Sequence, residues 1–263
     1  MFLDVLGAKE ESERSPADYL VRLDAAVRRG LDRGFMRALD TAELPVPRIP
    51  TFTWFSDNLA AAWPIRSPWN PEMAISGLEV AAAHVQLALA DHGLFVRGGI
   101  AVGPHFMDKE IVFGPALIEA VKLEEDAIYP RIVLSHEVAA QEHQHMATYY
   151  GGSPLAPQNS LLLMDTDGVV FVNYLYLLLD DFNNPSNRAY AETRFARHRD
   201  TVQRALTTHK ATPRIADKYR WLASHHNHCV RIAGLNPALL IPDAMRGTQI
   251  REFTSYRAGP GRG

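Results

Sequence analysis

Cysteine is nearly absent from this sequence of 263 residues, and Cys229 alone cannot form a disulfide within the chain. Long hydrophobic runs are also missing, since stretches such as 175–179 fall far below the roughly 20 apolar residues of a membrane-spanning helix. Positive charge is not in excess, with 27 Lys and Arg against 30 Asp and Glu, so no overall field attracts nucleic acid. Acidic residues follow the N-terminus too soon for a secretory signal peptide. We therefore predict a soluble cytoplasmic protein without a nucleic-acid or membrane partner.

Hydrophobic residues make up 47% of the chain, as in a folded domain, and their periodicity changes along it. Apolar runs predict strands at 2–6, 51–55, 59–63, 94–102, 106–113 and 132–134. Spacings of three and four predict helices at 15–39, 71–89 and 116–126. Strand 106–113 is expected to pair with strand 94–102 across Gly103-Pro104. This order predicts an α/β sandwich with a mostly antiparallel sheet and flanking helices.

The second half of the chain differs in character. Apolar runs at 161–164 and 169–172 flank Asp165-Thr166-Asp167-Gly168, which is typical of a hairpin. Charged helical patterns follow at 186–209 and 213–229, and the glycine-rich tail 258–263 is expected to be disordered. We therefore predict a first domain over 1–181 and a C-terminal helical region over 182–263.

Two acidic residues, Asp4 and Asp57, lie in otherwise apolar strand segments, and Asp57 occupies the tip of a predicted hairpin. A carboxylate among apolar side chains is costly unless it pairs with a cation or binds a metal ion. One or two carboxylates together with substrate phosphates are enough to hold Mg²⁺ or Mn²⁺. The alternative is that Asp4 forms an ion pair and Asp57 is an ordinary turn residue, and spacing alone favours that alternative.

Four sequence segments within residues 1–135, two of which contain Asp4 and Asp57, match motifs of a known family. They are Phe2 to Gly7, Phe55 to Asp57, Arg97 to Gly103 and Gly114 to Glu124. Their order and spacing resemble class III nucleotide cyclases, which show F-x-D-[IL]-x-G, G-D on a hairpin, R-x-G-I-x-x-G and G-x-x-V-N-x-A-x-R-[LM]-E. The spellings F-S-D, R-G-G-I and Y-P-R-I-V-L-S are most similar to the pyrimidine cyclases of the bacterial Pycsar antiphage system. The later segment 217–222 is similar to the helical region of that group.

The resemblance implies a class III cyclase-like fold and a phosphoryl transfer, in which the ribose 3′-hydroxyl attacks the α-phosphorus of a nucleoside triphosphate and pyrophosphate leaves. Two divalent ions, Mn²⁺ or Mg²⁺, would be held by Asp4, Asp57 and the backbone carbonyl of Val5. Gly7 would let backbone N–H groups approach the phosphates. The family also implies a homodimer, in which the acids of one chain face the partner's Lys122.

Two positions depart from the family pattern. Ile118 stands where relatives have the asparagine that binds the ribose, and Lys122 stands where they have the arginine that stabilises the pentavalent phosphate. A lysine keeps the positive charge but lacks the planar, bidentate guanidinium. Arg97 is therefore a second candidate for the transition-state role, and the alternative for Arg97 is an ion pair within the sheet.

The resemblance also implies a pyrimidine substrate. In purine-specific relatives, two pocket positions that recognise the base carry lysine and aspartate, or glutamate and cysteine. The corresponding residues here are Thr53 and Ile111, which match neither pair. Strand alternation puts Thr53 and Phe55 on one face, toward the nucleotide, and Trp54 on the other. Trp54 and Arg97 nevertheless correspond to the residues that shape the pyrimidine site in the Pycsar relatives. We expect UTP to be converted to cyclic UMP, with CTP as the alternative substrate, and the product to signal to a separate effector in antiphage defence.

Two rival functions stay open. One is a purine cyclase with an unusual base pocket. The other is a degenerate nucleotide-binding module, which Ile118 and Lys122 favour and the retained acids oppose.

Three other clusters are predicted to have no catalytic role. His225 to Cys229 lacks the four converging ligands of a zinc site and is expected on a mixed helix surface. The segment 142–145 lacks the H-E-x-x-H order of a zinc hydrolase and is expected to be solvated. Basic residues on the C-terminal helices are interleaved with acids and are expected on a solvated face. These basic residues are Lys210, Arg214, Lys218, Arg220 and Arg231.

Overall fold

The computed structural model describes residues 1–36, 51–65, 71–108, 110–180 and 185–256. Three predicted features lie outside these residues: the helix end at 37–39, the domain boundary between 181 and 182, and the tail 258–263.

Strands from both halves of the chain form one central sheet. They are β1 (Phe2–Val5), β2 (Thr51–Phe55), β3 (Asn58–Ala62), β4 (Val96–Ile100), β7 (Ile132–Leu134), β8 (Leu162–Met164), β9 (Val170–Val172) and β10 (Arg251–Glu252). Their order across the sheet is β10-β8-β9-β7-β4-β1-β3-β2. Only β4 and β7 are parallel among the described neighbours. This confirms the prediction of an α/β protein with a mostly antiparallel sheet.

Helices flank the sheet. They are α1 (Ala8–Arg14), α2 (Pro16–Leu31), α3 (Pro71–Asp91), α4 (Pro115–Asp126), α5 (His136–Thr148), α6 (Gln158–Leu161), α7 (Tyr176–Asp180), α8 (Pro185–Thr208) and α9 (Pro213–Ile232). Helix α3 is long and apolar enough to cross a membrane by length and composition, but 72% of its most apolar window is buried inside the protein. It has the burial of a core helix of a soluble protein, because the fold covers it on most sides.

The alternation of β1 explains how an acid lies in the central strand. Leu3 and Val5 are buried on one face, whereas Asp4 points to the opposite face because side chains alternate along a strand. Helix α4 lies close against that opposite face: a Cβ at Gly99 would come within 2.3 Å of the carbonyl oxygen of Ala120. Gly99 of β4 is therefore required for this close packing of α4 against the sheet.

The N-terminal helix differs from the prediction. The chain forms α1 directly after β1, and α2 begins only at Pro16 and ends at Leu31, before a π-helical segment (Asp32–Met36). Ser15 separates α1 from α2 with φ −151°. The ring of Pro16 disfavours the helical conformation at the residue before it, which explains the break.

The predicted pairing of segment 106–113 with β4 is wrong. The segment folds back on itself as a small hairpin of β5 (Phe106–Met107) and β6 (Val112–Phe113), with Phe106 opposite Phe113. One Asp108 carboxylate oxygen accepts the backbone N–H groups of Glu110 and Ile111 at 2.8 and 2.7 Å. This local side-chain bonding makes a turn in the middle of the predicted strand.

The C-terminal helices pack on the sheet and share its core. Strand β10 pairs with β8, and the ring of Trp221 in α9 meets Phe171 of β9 at a centroid distance of 5.2 Å. The hairpin predicted at Asp165 to Gly168 joins β8 to β9 and is confirmed. The acids of this hairpin contact Arg131: Asp165 Oδ2 and Asp167 Oδ2 each lie 2.6 Å from its guanidinium.

The prediction of a mixed helix surface at 225–229 is wrong. His225 and His226 are 0% exposed, because α9 packs on the sheet with one side and on α8 with another. His225 Nε2 lies 2.8 Å from Asn173 Oδ1, and His226 Nδ1 lies 3.0 Å from His198 Nδ1. Burial lowers the pKa of His225 to about 3, so this ring is neutral at physiological pH. Glu142, which was predicted to be solvated, is also buried.

Candidate active site

Asp4 lies at the middle of the sheet, with a partner on each neighbouring strand. The register places it opposite Asn58 of β3 and opposite Arg97 of β4. Directly opposed residues in an antiparallel pair project to the same face. Asp4, Asn58 and Arg97 therefore form a polar row on the face that α4 covers.

A tight hairpin brings Asp57 to the same end of β1. Ser56 and Asp57 make the two-residue turn between β2 and β3, and Ser56 adopts a left-handed conformation with φ 55°. The Val5 N–H donates to the Asp57 carbonyl at 3.0 Å, and Asn58 Nδ2 donates to Asp57 Oδ1 at 3.1 Å. The turn and these two bonds fix the second acid beside the first.

The two carboxylates affect each other. Burial raises the pKa of Asp4, the negative charge of Asp57 raises it further, and the Arg97 guanidinium opposes both effects. Such mutual repulsion requires the two acids to be close in space. Asp4 and Asp57 therefore belong to one cluster although 53 positions separate them in the sequence.

Arg97 is held by two acids. Its Nη2 lies 2.6 Å from Glu124 Oε1 of α4 and 3.5 Å from Asp4 Oδ2. Glu124 is nearly fully buried, so its charge depends on this partner. In this chain the Arg97 guanidinium orients Asp4 and links α4 to β4. These contacts agree with the alternative interpretation of Arg97 as a residue that forms ion pairs within the fold.

Two residues that the sequence analysis did not select also belong to the cluster. Lys218 of α9 is half-buried; burial lowers the pKa of its amine, and so do the positive charges of Arg97 and Arg214, whereas Asp4 and Glu124 raise it. The prediction that Lys218 is solvated is therefore wrong. Lys218 lies in the segment 217–222 that is similar to the helical region of the Pycsar cyclases, but that similarity gives the lysine no role, because it comes near the site only through the packing of α9.

Tyr19 of α2 is the second residue. Its hydroxyl is buried and has no hydrogen-bond partner within the described residues. Burial and the charges of Asp57 and Asp4 raise its pKa to about 12. The ring thus places a neutral O–H donor near both carboxylates. Its position in the apolar stripe of an amphipathic helix gives no sign of this role.

Gly7 turns the chain directly after β1. Its φ of 74° is in the left-handed region, where glycine is favoured over residues with a Cβ. Gly7 and Lys218 line a common cleft of about 820 Å³ whose lining includes neither Asp4 nor Asp57. Arg14 and Arg22 also line it, and both are ion-paired to Glu11. The backbone turn and the lysine therefore face the same open volume.

The base-binding candidates on β2 lie on different faces. Phe55 is opposite Asn58, so it shares the face of Asp4, and Thr53 lies two residues along on that same face. Trp54 is opposite Leu59 and packs against the hydrophobic core, while its Nε1 donates to the Ser56 carbonyl at 3.0 Å. Within one chain Trp54 does not face the acids, in agreement with strand alternation.

Lys122 points away from the acids of its own chain. It lies on the exposed side of α4, one turn from Ile118, which is 67% exposed. The opposite side of α4, with Ala120 and Glu124, is buried against the sheet. Contact between Lys122 and a site at Asp4 therefore requires a second copy of the chain.

The donor set around Asp4 is suited to a hard divalent cation. Asp4, Asp57 and Glu124 carry negative charge, and Arg97 and Lys218 balance only two of these charges. Within the described ranges no group of three or more His, Cys, Asp or Glu side chains is arranged as a complete metal site. The two carboxylates could hold an ion that takes its remaining ligands from water and substrate phosphates.

Comparison with known proteins adds no relative: no family model, no curated protein and no solved structure matches this chain.

Proposed function

We propose that this protein is a pyrimidine nucleotide cyclase that converts UTP to 3′,5′-cyclic UMP and pyrophosphate in the cytoplasm. The observation that carries the proposal is the convergence of Asp4 and Asp57 beside a glycine turn and a half-buried lysine. In this reaction the ribose O3′ forms a bond to the α-phosphorus, the bond from that phosphorus to the bridging oxygen of pyrophosphate breaks, and the hydroxyl proton passes to water.

The acids would hold the divalent ions, Mn²⁺ or Mg²⁺. Asp4 and Asp57 supply carboxylate oxygens and Val5 supplies its carbonyl. Such ions lower the pKa of the attacking hydroxyl and neutralise the triphosphate. Arg97 keeps the Asp4 carboxylate in position through its contact at 3.5 Å. The Tyr19 O–H, which has no hydrogen-bond partner among the described residues, would donate to a ligand bound at the acids.

The triphosphate would lie along the turn at Gly7. Backbone N–H groups in such a turn bind phosphate oxygens without steric hindrance from a Cβ. Lys218 lines the same cleft and supplies a positive charge for the departing pyrophosphate. Helix α9 would thus supply a positive charge at the phosphates in addition to that of Lys122, which stands at the position of the family's phosphate-stabilising arginine.

A homodimer would complete the site. Large apolar side chains are exposed on the β5–β6 hairpin and on α4, namely Phe106, Ile111, Phe113 and Ile118. Exposed apolar patches favour protein–protein contact. In such a dimer the partner's Lys122, which lies one turn from Ile118, would approach the α-phosphate. Phe55 on the Asp4 face would limit the space for the base and favour a pyrimidine.

Incubation of the purified protein with each of the four ribonucleoside triphosphates and Mn²⁺, followed by mass spectrometry, tests the proposal. Cyclic UMP is the expected product, and a dominant cyclic CMP signal would change the base assignment only. Cyclic AMP or cyclic GMP as the sole product would refute the pyrimidine assignment. The product is proposed to act on a separate effector in antiphage defence.

A nucleotide-binding module without activity is the second candidate. It is favoured by Ile118, whose exposed side chain offers no hydrogen bond to a ribose, and by the engagement of Arg97 with two acids of its own chain. Mn²⁺-dependent binding of UTP without any cyclic product from the four substrates would support this candidate.

A further inference from the structure

A second cleft lies between the start of α3 and the end of α5. It has a volume of about 660 Å³, and it shares no lining residue with the cluster around Asp4. Glu72 and Met73 of α3 form one wall, and His145, Tyr149 and Tyr150 form the other. Among the described residues, no lysine or arginine lines it.

The second wall is aromatic. The rings of Tyr149 and Tyr150 meet edge to face at a centroid distance of 5.0 Å, and His145 lies 5.1 Å from Tyr149 and 5.5 Å from Tyr150. Tyr149 is 75% exposed, so its ring is free to contact a ligand. Aromatic faces attract organic cations. Glu72 Oε1 lies 3.1 Å from His145 Nδ1 at the rim and adds a carboxylate.

The inner end of the cleft is rich in hydrogen-bond acceptors and poor in donors. Gln158 lines the cleft, is 5% exposed and donates its Nε2 to Glu142 Oε2 at 3.0 Å. The Gln158 Oε1, the Glu142 Oε1 and both carboxylate oxygens of Glu79 are buried without a partner in the described part of the chain. Acceptors of this kind are costly to leave unpaired, and what they lack is a donor.

Glu142 and Glu79 are both buried near Gln158. Burial and the charge of Glu142 raise the pKa of Glu79 well above its usual value. Burial also raises the pKa of Glu142, and so does the charge of Glu72, whereas the hydrogen bond from Gln158 and the nearby His145 lower it. Helix α5 ends at Thr148 with Tyr149 as its C-cap, and its last carbonyls add negative potential at this end of the cleft.

We propose that this cleft is a binding site for a small aliphatic amine in its ammonium form. The ammonium would donate to the Oε1 of Gln158 and to the carboxylate of Glu72, and the methylene chain would lie against Tyr149 and Tyr150. The combination of an aromatic wall, an unpaired acceptor on Gln158 and the Glu72 carboxylate at the rim favours a cation with N–H donors over an anion or a neutral apolar molecule.

Isothermal titration calorimetry of the full chain with n-butylamine, and with 1-pentanol as a neutral molecule of similar length, tests this site. We expect saturable binding of the amine, with a Kd on the order of 1 mM or below, and no saturable heat with the alcohol. Absence of saturation by the amine, or equal binding of the alcohol, would refute the proposal.

Three variants locate the binding. Tyr149→Ala and Glu72→Gln change exposed side chains and should each weaken amine binding about fivefold or more. Glu137→Gln removes the same charge at an exposed position near the start of α5, outside the cleft, and should leave the Kd unchanged. If both cleft variants bind the amine as the Glu137 control does, the amine binds elsewhere and the proposal fails. Cyclase activity is not needed for any of these measurements.

Discussion

The polar clusters around Arg131 and around Asp4 differ in how completely their groups are paired. Arg131 is 2% exposed, and its guanidinium lies 2.6 Å from both Asp165 and Asp167. Trp221 donates to the same Asp165 oxygen at 2.6 Å, and the Arg131 guanidinium lies over the rings of Tyr129 and Trp221. This cluster joins α9 and the β8–β9 hairpin to the core.

Around Asp4 the pairing is incomplete. The Tyr19 hydroxyl and the Arg97 Nε have no hydrogen-bond partner among the residues that the structure describes. The acids outnumber the bases, and Asp4 and Asp57 are only half-buried. A paired, buried cluster stabilises a fold, whereas an open cluster with residual charge can accept a ligand. The difference agrees with a structural role for Arg131 and with the binding role proposed for the Asp4 cluster.

The largest effect is expected at Asp57. Asp57→Asn keeps the size of the side chain but removes a charge that would hold the divalent ions. We expect cyclase activity to fall by about a thousandfold or more, while size-exclusion chromatography and circular dichroism stay unchanged. Asp24→Asn, which makes the same change at an exposed position of α2, is the control. Full activity of Asp57→Asn would remove the metal-binding role.

Substitution of Arg131 should affect stability instead. Arg131→Met leaves Asp165 buried without its cation, and we expect the free energy of unfolding in urea to fall by about 3 to 5 kcal/mol. The matched variant Arg28→Met breaks an exposed ion pair with Asp24 and should cause no measurable loss. If the two variants unfold at the same midpoint concentration of urea, Arg131 does not have this structural role.

Lys218 tests whether the C-terminal helix belongs to the site. Lys218→Ala should lower kcat/KM for UTP by about 10- to 100-fold, because a charge beside the triphosphate is lost. Lys210→Ala, at an exposed position before α9, should leave it unchanged. Lys218→Arg should restore part of the activity. If Lys218→Ala behaves as the Lys210 control does, α9 has only a structural role.

The smallest effect concerns pH. The pKa of Asp4 is raised, so protonation of this acid on acidification begins at a higher pH than for an exposed aspartate, whose pKa is about 3.9. Protons compete with the cation, so we expect Mn²⁺ affinity, measured by electron paramagnetic resonance, to fall by up to about tenfold per pH unit below that pKa. Asp4→Asn should bind Mn²⁺ weakly and with a flatter pH profile. An equally steep profile in that variant would assign the titration to another group.

The local features of the fold were predictable from the sequence. Apolar runs marked the strands around Asp4, and Ser56-Asp57-Asn58 marked a tight hairpin with Asp57 at its tip, since both depend on contacts between near neighbours in the chain. The turn at Asp108 was missed because a single side chain accepted two backbone N–H groups within a run of strand-forming residues. Here the two local hydrogen bonds to Asp108 outweighed the strand propensity of the segment.

The environment of polar side chains was much less predictable. His225 and His226 occur in a charged helical pattern, yet both are buried because α9 is covered on two sides. Glu142 is buried for a similar reason, as α5 packs against α3 and Glu79. A helical pattern identifies one apolar face, but it does not show whether a second element covers the polar one.

The sequence by itself determined the strands β1 to β3, the hairpin that carries Asp57 and the glycine turn after Asp4, because each of these depends on residues close together in the chain. Only the tertiary structure decided that Arg97 is shared by Asp4 and Glu124, that Tyr19 has an unpaired buried hydroxyl near the acids and that Lys218 lies near Asp4 although it is far along the chain. Burial and electrostatic coupling are properties of groups brought together by packing, and they have no sequence signature of their own.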